Sequence, residues 1–373
     1  MRIGTISFHA SFNYGSMLQA WALQTYLEKE GHQVEIINYR SWYQKAHYAK
    51  PFDVSSPFSM MASLKRLFLA PSSFPHLYSK WNLFNDFLNQ HLHITKEYHT
   101  YHQLKKANFN YDLVITGSDQ IWINTLEAGK PYYANFISPN IKKISYAPSM
   151  GPQTENIPSI RFLKKNLKNF TALSVRERQT KDYIENNGLF YPVEIVCDPT
   201  LLLNAQDYET LIDQKPLINE PYIFLYTPGK AKPSYFEIAE QIAIKKNMQV
   251  ITETSFYPRD INKYPHIKLY PETGPKEFLN LIKNAAFVVG GSFHLLVFSL
   301  LFSKNFFCIN GDKDLRTNNL LKVVGLENRA VSLNNPHVIP DNSINNYEDC
   351  LEKLNLFRKS SMDFLNINLI KAS

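Results

Sequence analysis

The 373 residues, 44% of them hydrophobic and 20% charged, exceed what one ordinary core supports and describe a soluble globular protein of two or three domains, not a disordered or fibrous chain. Forty basic and 33 acidic side chains leave a net charge of +7 spread along the sequence, which suits an anionic small substrate or an anionic membrane surface; with no dense basic run, no nucleic-acid partner is expected. No apolar run approaches the roughly 20 residues that span a bilayer, residues 1–8 lack a signal-peptide core, and Cys197, Cys308 and Cys350 show neither metal nor redox spacing, so a cytoplasmic chain without a metal is expected.

Residues 3–8 read as a strand, 15–30 as a helix stopped at Gly31, and 34–39 as a second strand, a βαβ opening. An aromatic, proline-containing stretch over 41–101 reads as helical with loops. Strands follow at 111–116, 143–147, 172–175 and 193–197, with helices at 160–169 and 180–187. Such alternation implies a parallel sheet covered on both faces. Turn residues between Asp198-Pro199 and Glu220-Pro221 interrupt the pattern. A second series then brings strands at 222–226, 249–252, 267–270, 287–289 and 306–309, and helices at 234–246, 275–285 and 293–301. The tail over 347–370 has the pattern of an amphipathic helix that crosses back onto the first domain. The fold class expected is α/β, with two Rossmann-like domains facing a cleft, at 1–208 and 209–345, and a C-terminal helix at 346–373.

Ligands of open α/β sheets bind at the carboxyl ends of strands, so polar residues directly after strands are the candidates. After the first strand comes a polar turn from His9 through Asn13, Tyr14 and Gly15 to Ser16, which can cradle an anion or a sugar hydroxyl, or simply cap the helix. It lacks the spacing of a dinucleotide loop, so no nicotinamide or flavin cofactor is expected. After the strand at 111–116 comes Gly117-Ser-Asp119-Gln-Ile-Trp122, where a carboxylate beside an indole reads as a general base, a hydroxyl ligand, or an N-cap. Arg176 and Arg178 follow a strand and offer planar forks for carboxylate or phosphate, with a network to Glu177 as the plainer reading. The strand at 287–289 breaks at Gly290-Gly291 into an apolar helix, a junction suited to an anion, with His294 in its first turn and Ser292 as ligand or cap. Arg316 stands where a helix dipole disfavours a cation, which makes it a candidate ligand for a phosphate or carboxylate. His91, His93, His99 and His102 match no metal spacing.

Seven of these stretches together resemble the polysaccharide pyruvyl transferases: residues 8–24 (FHASFNYGSMLQAWALQ), 117–122 (GSDQIW), 144–147 (ISYA), 174–177 (SVRE), 198–203 (DPTLLL), 274–278 (GPKEF) and 292–294 (SFH). The resemblance implies a GT-B-like pair of domains, the first on the acceptor side with part of the donor site and the second on the donor side. It implies transfer of the pyruvyl group of phosphoenolpyruvate to two hydroxyls of a sugar, giving a cyclic ketal and phosphate, with phosphoenolpyruvate as co-substrate and no cofactor. It carries His294 over as the family's active-site histidine and Arg176 as the arginine that meets the donor's charge; from the residues themselves, His294 and Asp119 are expected as catalytic acid and base, Arg176, Ser292, Gly291 and Arg316 on the donor, and Asn13, Tyr14 and Trp122 on the acceptor. The family often has Asp-Ser-Phe-His-Gly, and in some branches an arginine two residues before the histidine, where this chain has Gly291-Ser292-Phe293-His294-Leu295; Arg316 or Arg178 is then expected to supply the charge. A lipid-linked sugar acceptor, met at the inner membrane face, suits the basic charge and scattered aromatics. The alternatives are a glycosyltransferase using a nucleotide-sugar and an inactive carbohydrate-binding relative.

Overall fold

The computed structural model describes residues 1–52, 60–61, 64, 74–125, 129–151, 156–188, 192–213, 215–228, 232–253, 261–270, 272–311, 313–333, 344 and 346–372. In chain order its first half holds β1 (Arg2–Ile6), α1 (Tyr14–Lys29), β2 (Gln33–Ile36), α2 (Trp42–His47), α3 (Phe74–His91), α4 (Tyr101–Lys106), β3 (Leu113–Thr116), β4 (Lys142–Ser145), α5 (Ile160–Leu167), β5 (Leu173–Val175), α6 (Arg178–Asn186) and β6 (Val193–Ile195). The second half holds α7 (Ala205–Glu209), β7 (Tyr222–Tyr226), α8 (Pro233–Lys246), β8 (Gln249–Thr252), β9 (Ile267–Leu269), α9 (Pro275–Asn284), β10 (Phe287–Gly290), α10 (Phe293–Leu301), β11 (Phe306–Ile309), α11 (Leu315–Val324), β12 (Ala330–Val331) and α12 (Tyr347–Ile370).

The strands are short, and β3, β7, β10 and β11 are buried at every position, as expected where both faces are covered. All pair in parallel. One sheet has the order β2-β1-β3-β4, and an isolated bridge from Ile144 to Ala172 leads on to the pair β5-β6. The other has the order β12-β11-β10-β7-β8-β9. In each, growth starts in one direction and resumes in the other, so the ends of β1 and β3, and of β7 and β10, flank a switch point.

The chain divides into two compact units, one of Met1–Ala49, Leu88–Leu203 and Asn355–Ser373, the other of Lys50–Phe87 and Asn204–Leu354. The first unit packs Ile6, Val114, Trp122, Tyr133, Leu163, Leu173 and Val193 in its core. The second packs Ile223, Leu225, Phe236, Ile242, Val250, Val289 and Phe307. Helix α1 carries no amphipathic stripe because nearly all of it is buried, including Gln19 and Gln24, whose amides are hydrogen-bonded.

Two boundaries differ from the sequence reading. Residues Lys50–Phe87, read there as part of the first domain, belong to the second unit. Three contacts hold α3 there: Lys80 pairs with Glu253, whose side chain is almost fully buried just past β8; His76 meets Glu272 at 3.4 Å; and Leu83 fills the space beside Gly274. A carboxylate as buried as Glu253 requires a cation, and α3 supplies it. Helix α12 starts in the second unit and belongs to the first from Asn355 onward. There Ser361 Oγ accepts the Cys197 amide at 2.8 Å and Arg358 Nε donates to the Leu201 carbonyl at 2.6 Å.

Gly290 pairs with Tyr226 at the end of β10, and a Cβ placed on it would stand 1.9 Å from the Tyr226 carbonyl oxygen. The contact is with backbone, so no rotamer relieves it. Gly290→Ala is therefore expected to destabilise the protein by about 3 kcal/mol or more through forced separation of β7 and β10, read as a lower urea midpoint; a midpoint within error of wild type would contradict this packing.

Candidate active site

At the switch point of the first unit, the turn after β1 and the turn after β3 supply the polar residues. Asn13 caps α1, its Oδ1 accepting the Ser16 amide at 3.3 Å. The Ser16 hydroxyl donates to Asp119 Oδ2, and the Gln120 amide donates to Asp119 Oδ1 at 2.8 Å. Asp119 holds φ of 73°, in the left-handed region that an Asp tolerates when its side chain is hydrogen-bonded locally. Its carboxylate is thus fixed at both oxygens, in a buried position. Gln19 completes the turn: its Nε2 donates to the Ser7 hydroxyl and the Ser16 carbonyl, while its Oε1 accepts the Ser118 amide at 3.2 Å.

Arg176, expected to meet a donor's charge, is engaged within the unit. Its side chain is 3% exposed; Nη1 donates to Asp198 Oδ2 at 2.7 Å and Nε to Glu177 Oε1 at 2.8 Å. Burial works against the guanidinium's charge, but Glu177, Asp198 and Asp119 together outweigh it and hold the proton more firmly than in water. Asp198 is satisfied in turn by the Thr200 amide and hydroxyl and by Ser118 Oγ at 3.3 Å. The motif at 198–203 thereby reads as the anchor of Arg176. Trp122 is also displaced from its expected role: at 0% exposure it stacks on Tyr133 with centroids 5.5 Å apart, inside the core, and presents no face to a sugar. Tyr14 is buried in the first turn of α1.

In the second unit, Ser292 caps α10 by accepting the Leu295 amide at 3.4 Å, and His294 sits buried in the first turn. Gly291, expected to let a donor approach the backbone, backs onto a side chain instead: the Tyr235 ring lies 2.7 Å from where its Cβ would be. Arg316 forks onto Asp314, with Nε to Oδ1 at 3.1 Å and Nη2 to Oδ2 at 2.7 Å, while the Asp314 carboxylate caps α11. The anion that makes a cation tolerable at this helix start is therefore Asp314 itself. Burial alone would raise the Asp314 carboxyl, and the hydrogen bonds and charge of Arg316 reverse this to hold it below the usual range. Gln19, Thr227 and Tyr235 are polar residues near these strand ends that pattern reading passes over, and Gln19 lies in the quoted 8–24 stretch.

The structure thus brings Asn13, Ser16 and Asp119 together in one unit and Gly291, Ser292 and His294 in the other. The family model of the polysaccharide pyruvyl transferases matches residues 13–313. The chain belongs to that family. No curated protein matches this pyruvyl transferase-family chain at a significant level. Among solved structures it is similar to the UDP-GlcNAc 2-epimerase of Methanocaldococcus jannaschii, at 12% identity and TM-score 0.50, covering 96% of this chain and 93% of that one. It is similar also to the S. aureus MnaA–UDP co-structure, at 10% and 0.50, covering 86% and 82%. A third, the glycosyltransferase SnogD from Streptomyces nogalater, is 10% identical with TM-score 0.44 and full coverage of both chains. At these identities the likeness to the first two is one of fold alone, a GT-B-like pair of Rossmann-like domains carrying a pyruvyl transferase-family sequence.

Two measurements test this network. Asp198→Asn leaves a buried guanidinium short of a carboxylate and should cost about 3–5 kcal/mol in urea unfolding, whereas replacing both Arg176 and Asp198 with apolar residues of similar volume should recover most of the loss; equal losses in both variants would mean that charge pairing is not what Asp198 contributes. Nearby, His9 is buried with Nε2 2.9 Å from Asn38 Oδ1, and burial, opposed by the Asn38 and Ser7 hydrogen bonds, pushes its pKa below the ordinary 6.5. The unfolded chain then binds a proton that the fold refuses, so stability contributed by neutral His9 is present above pH 6.5 and falls as pH drops below it. A His9→Gln variant should show a flatter stability profile from pH 7 to pH 5, and an unchanged slope would remove His9 from this account.

Proposed function

We propose that this protein transfers the pyruvyl group of phosphoenolpyruvate onto two hydroxyls of a sugar, forming a cyclic ketal and releasing phosphate. The observation that carries the reading is a protonatable His294 buried in the first turn of a helix at a switch point, in a chain of the pyruvyl transferase family. His294 gives a proton to the methylene carbon of the enol, leaving C2 electron-poor. A sugar hydroxyl adds at C2 as its proton passes to a base, the C2–O bond to phosphate breaks with its electron pair leaving on phosphate, and the second hydroxyl adds at C2 to close the ring as its proton passes to the now neutral His294. Asp119 is assigned the base, because its carboxylate is fixed by Ser16 and Gln120 at the end of β3. The amides and dipole at the start of α10, with Ser292, are assigned the donor's negative charge. Arg176 and Arg316 already face carboxylates of their own units. They are assigned to holding Asp198 and Asp314 in place, not to clamping the donor. The acceptor is a sugar of a surface polysaccharide or its precursor, with a lipid-linked form met at a membrane face as one case. Among the described residues no helix is long and apolar enough to cross a membrane.

Purified protein should release phosphate from phosphoenolpyruvate only when a suitable sugar is present, with a ketal on the product. His294→Ala should lower turnover at least about 100-fold, the usual worth of a general acid, with an unchanged melting temperature. Near-wild-type turnover in that variant would end the acid assignment. Release of a nucleoside diphosphate from a nucleotide-sugar, with phosphoenolpyruvate untouched, would instead make the protein a glycosyltransferase, and sugar binding with no donor consumed would make it a binding relative.

A further inference from the structure

We propose that Thr227 is a binding residue for an oxyanion at the second unit's switch point, its hydroxyl donating to a phosphate or carboxylate oxygen held at the start of α10; this rests on the reading of that site as the donor side. Thr227 is the first residue past β7. Tyr226 pairs with Gly290 across the switch, and the Gly291 amide donates to the Tyr226 carbonyl at 3.2 Å, so Thr227 and Gly291 stand side by side at the carboxyl edge.

The strand's alternation places the threonine side chain. Tyr222, Phe224 and Tyr226 turn to α9: the Tyr222 hydroxyl donates to the Leu281 carbonyl, and both other rings meet Phe278 edge-on. Ile223 and Leu225 face the other way and pack with Phe236, Ala239 and Ile242 of α8. Thr227 continues that second row. The empty side of Gly291 belongs to the same face, because Tyr235 in the first turn of α8 fills it. The hydroxyl therefore lies where the start of α8, the Tyr235 ring and the glycine turn leading into α10 meet.

Its surroundings ask for a ligand. Thr227 is 7% exposed, and its Oγ1 is buried without a hydrogen bond to any described group. A buried hydroxyl without a partner is destabilising, and valine would fill the same shape without that penalty. Helix α8 begins at Lys232 with no side-chain cap, and α10 begins beside it in the same sheet edge. Two helix amino termini present donors and partial positive charge, so the ligand that suits them is an anion with oxygens to accept several hydrogen bonds.

The test is isothermal titration of the full-length protein with phosphoenolpyruvate and, separately, with inorganic phosphate, using wild type, Thr227→Val and Thr227→Ser, plus melting temperatures without ligand. Thr227→Val should bind about tenfold more weakly or worse, Thr227→Ser should stay close to wild type, and unliganded Thr227→Val should melt no lower than wild type. An unchanged affinity in Thr227→Val, a wild type that binds neither anion, or a Thr227→Val that melts well below wild type would each overturn the proposal. Wild type that binds phosphate but not phosphoenolpyruvate, with Thr227→Val weakened for phosphate, would uphold Thr227 and remove the pyruvyl donor; undiminished phosphoenolpyruvate turnover and binding in Thr227→Val would do the reverse.

Discussion

One buried ion pair, Arg176 with Asp198, organises the carboxyl edge of the first unit. A guanidinium out of water is tolerated only if carboxylates surround it, and those carboxylates must in turn be satisfied. Asp198 meets that demand through Thr200 and Ser118, Ser118 ties to Gln19 on α1, and the same helix carries Ser16 onto Asp119. Residues after β3, β5 and β6 and at the start of α1 are thereby cross-linked by polar contacts. A left-handed Asp119 is the kind of backbone state that persists only when its neighbours leave it no alternative.

The two switch points are built with opposite electrostatics. The first gathers Asp119, Glu177 and Asp198 around Arg176, and their combined charge holds the guanidinium protonated. The second gathers helix starts, a serine cap and a histidine, and its nearby arginine is neutralised by Asp314.

Much of the fold was legible because buried parallel strands are short apolar runs bounded by turn residues, and the runs at 111–116, 222–226 and 287–289 fall on β3, β7 and β10. The placement of residues 50–87 was not legible, since the pair that fixes it joins Lys80 to Glu253 across 173 positions. Asn13 and Ser292 followed from capping rules that act locally. Arg176 misled because its partner Asp198 lies 22 residues on, whereas Asp314, two residues before Arg316, was an available signal. Trp122 looked polar by company and is core by packing, which no spacing reveals. Thr227 follows an apolar strand like many threonines; that its hydroxyl goes unpaired is a property of three dimensions only.

Helix α12 gives the molecule an order of assembly. The amide of Cys197 waits for Ser361, and Tyr26 reaches Asn366 across 340 positions. During synthesis the second unit's strands leave the ribosome before the last piece of the first unit exists, so a nascent first unit carries an uncovered surface for as long as translation of the second takes. The first unit is started first and finished last, and a ribosome that stalls anywhere in the second leaves a partly closed fold for the cell's chaperones.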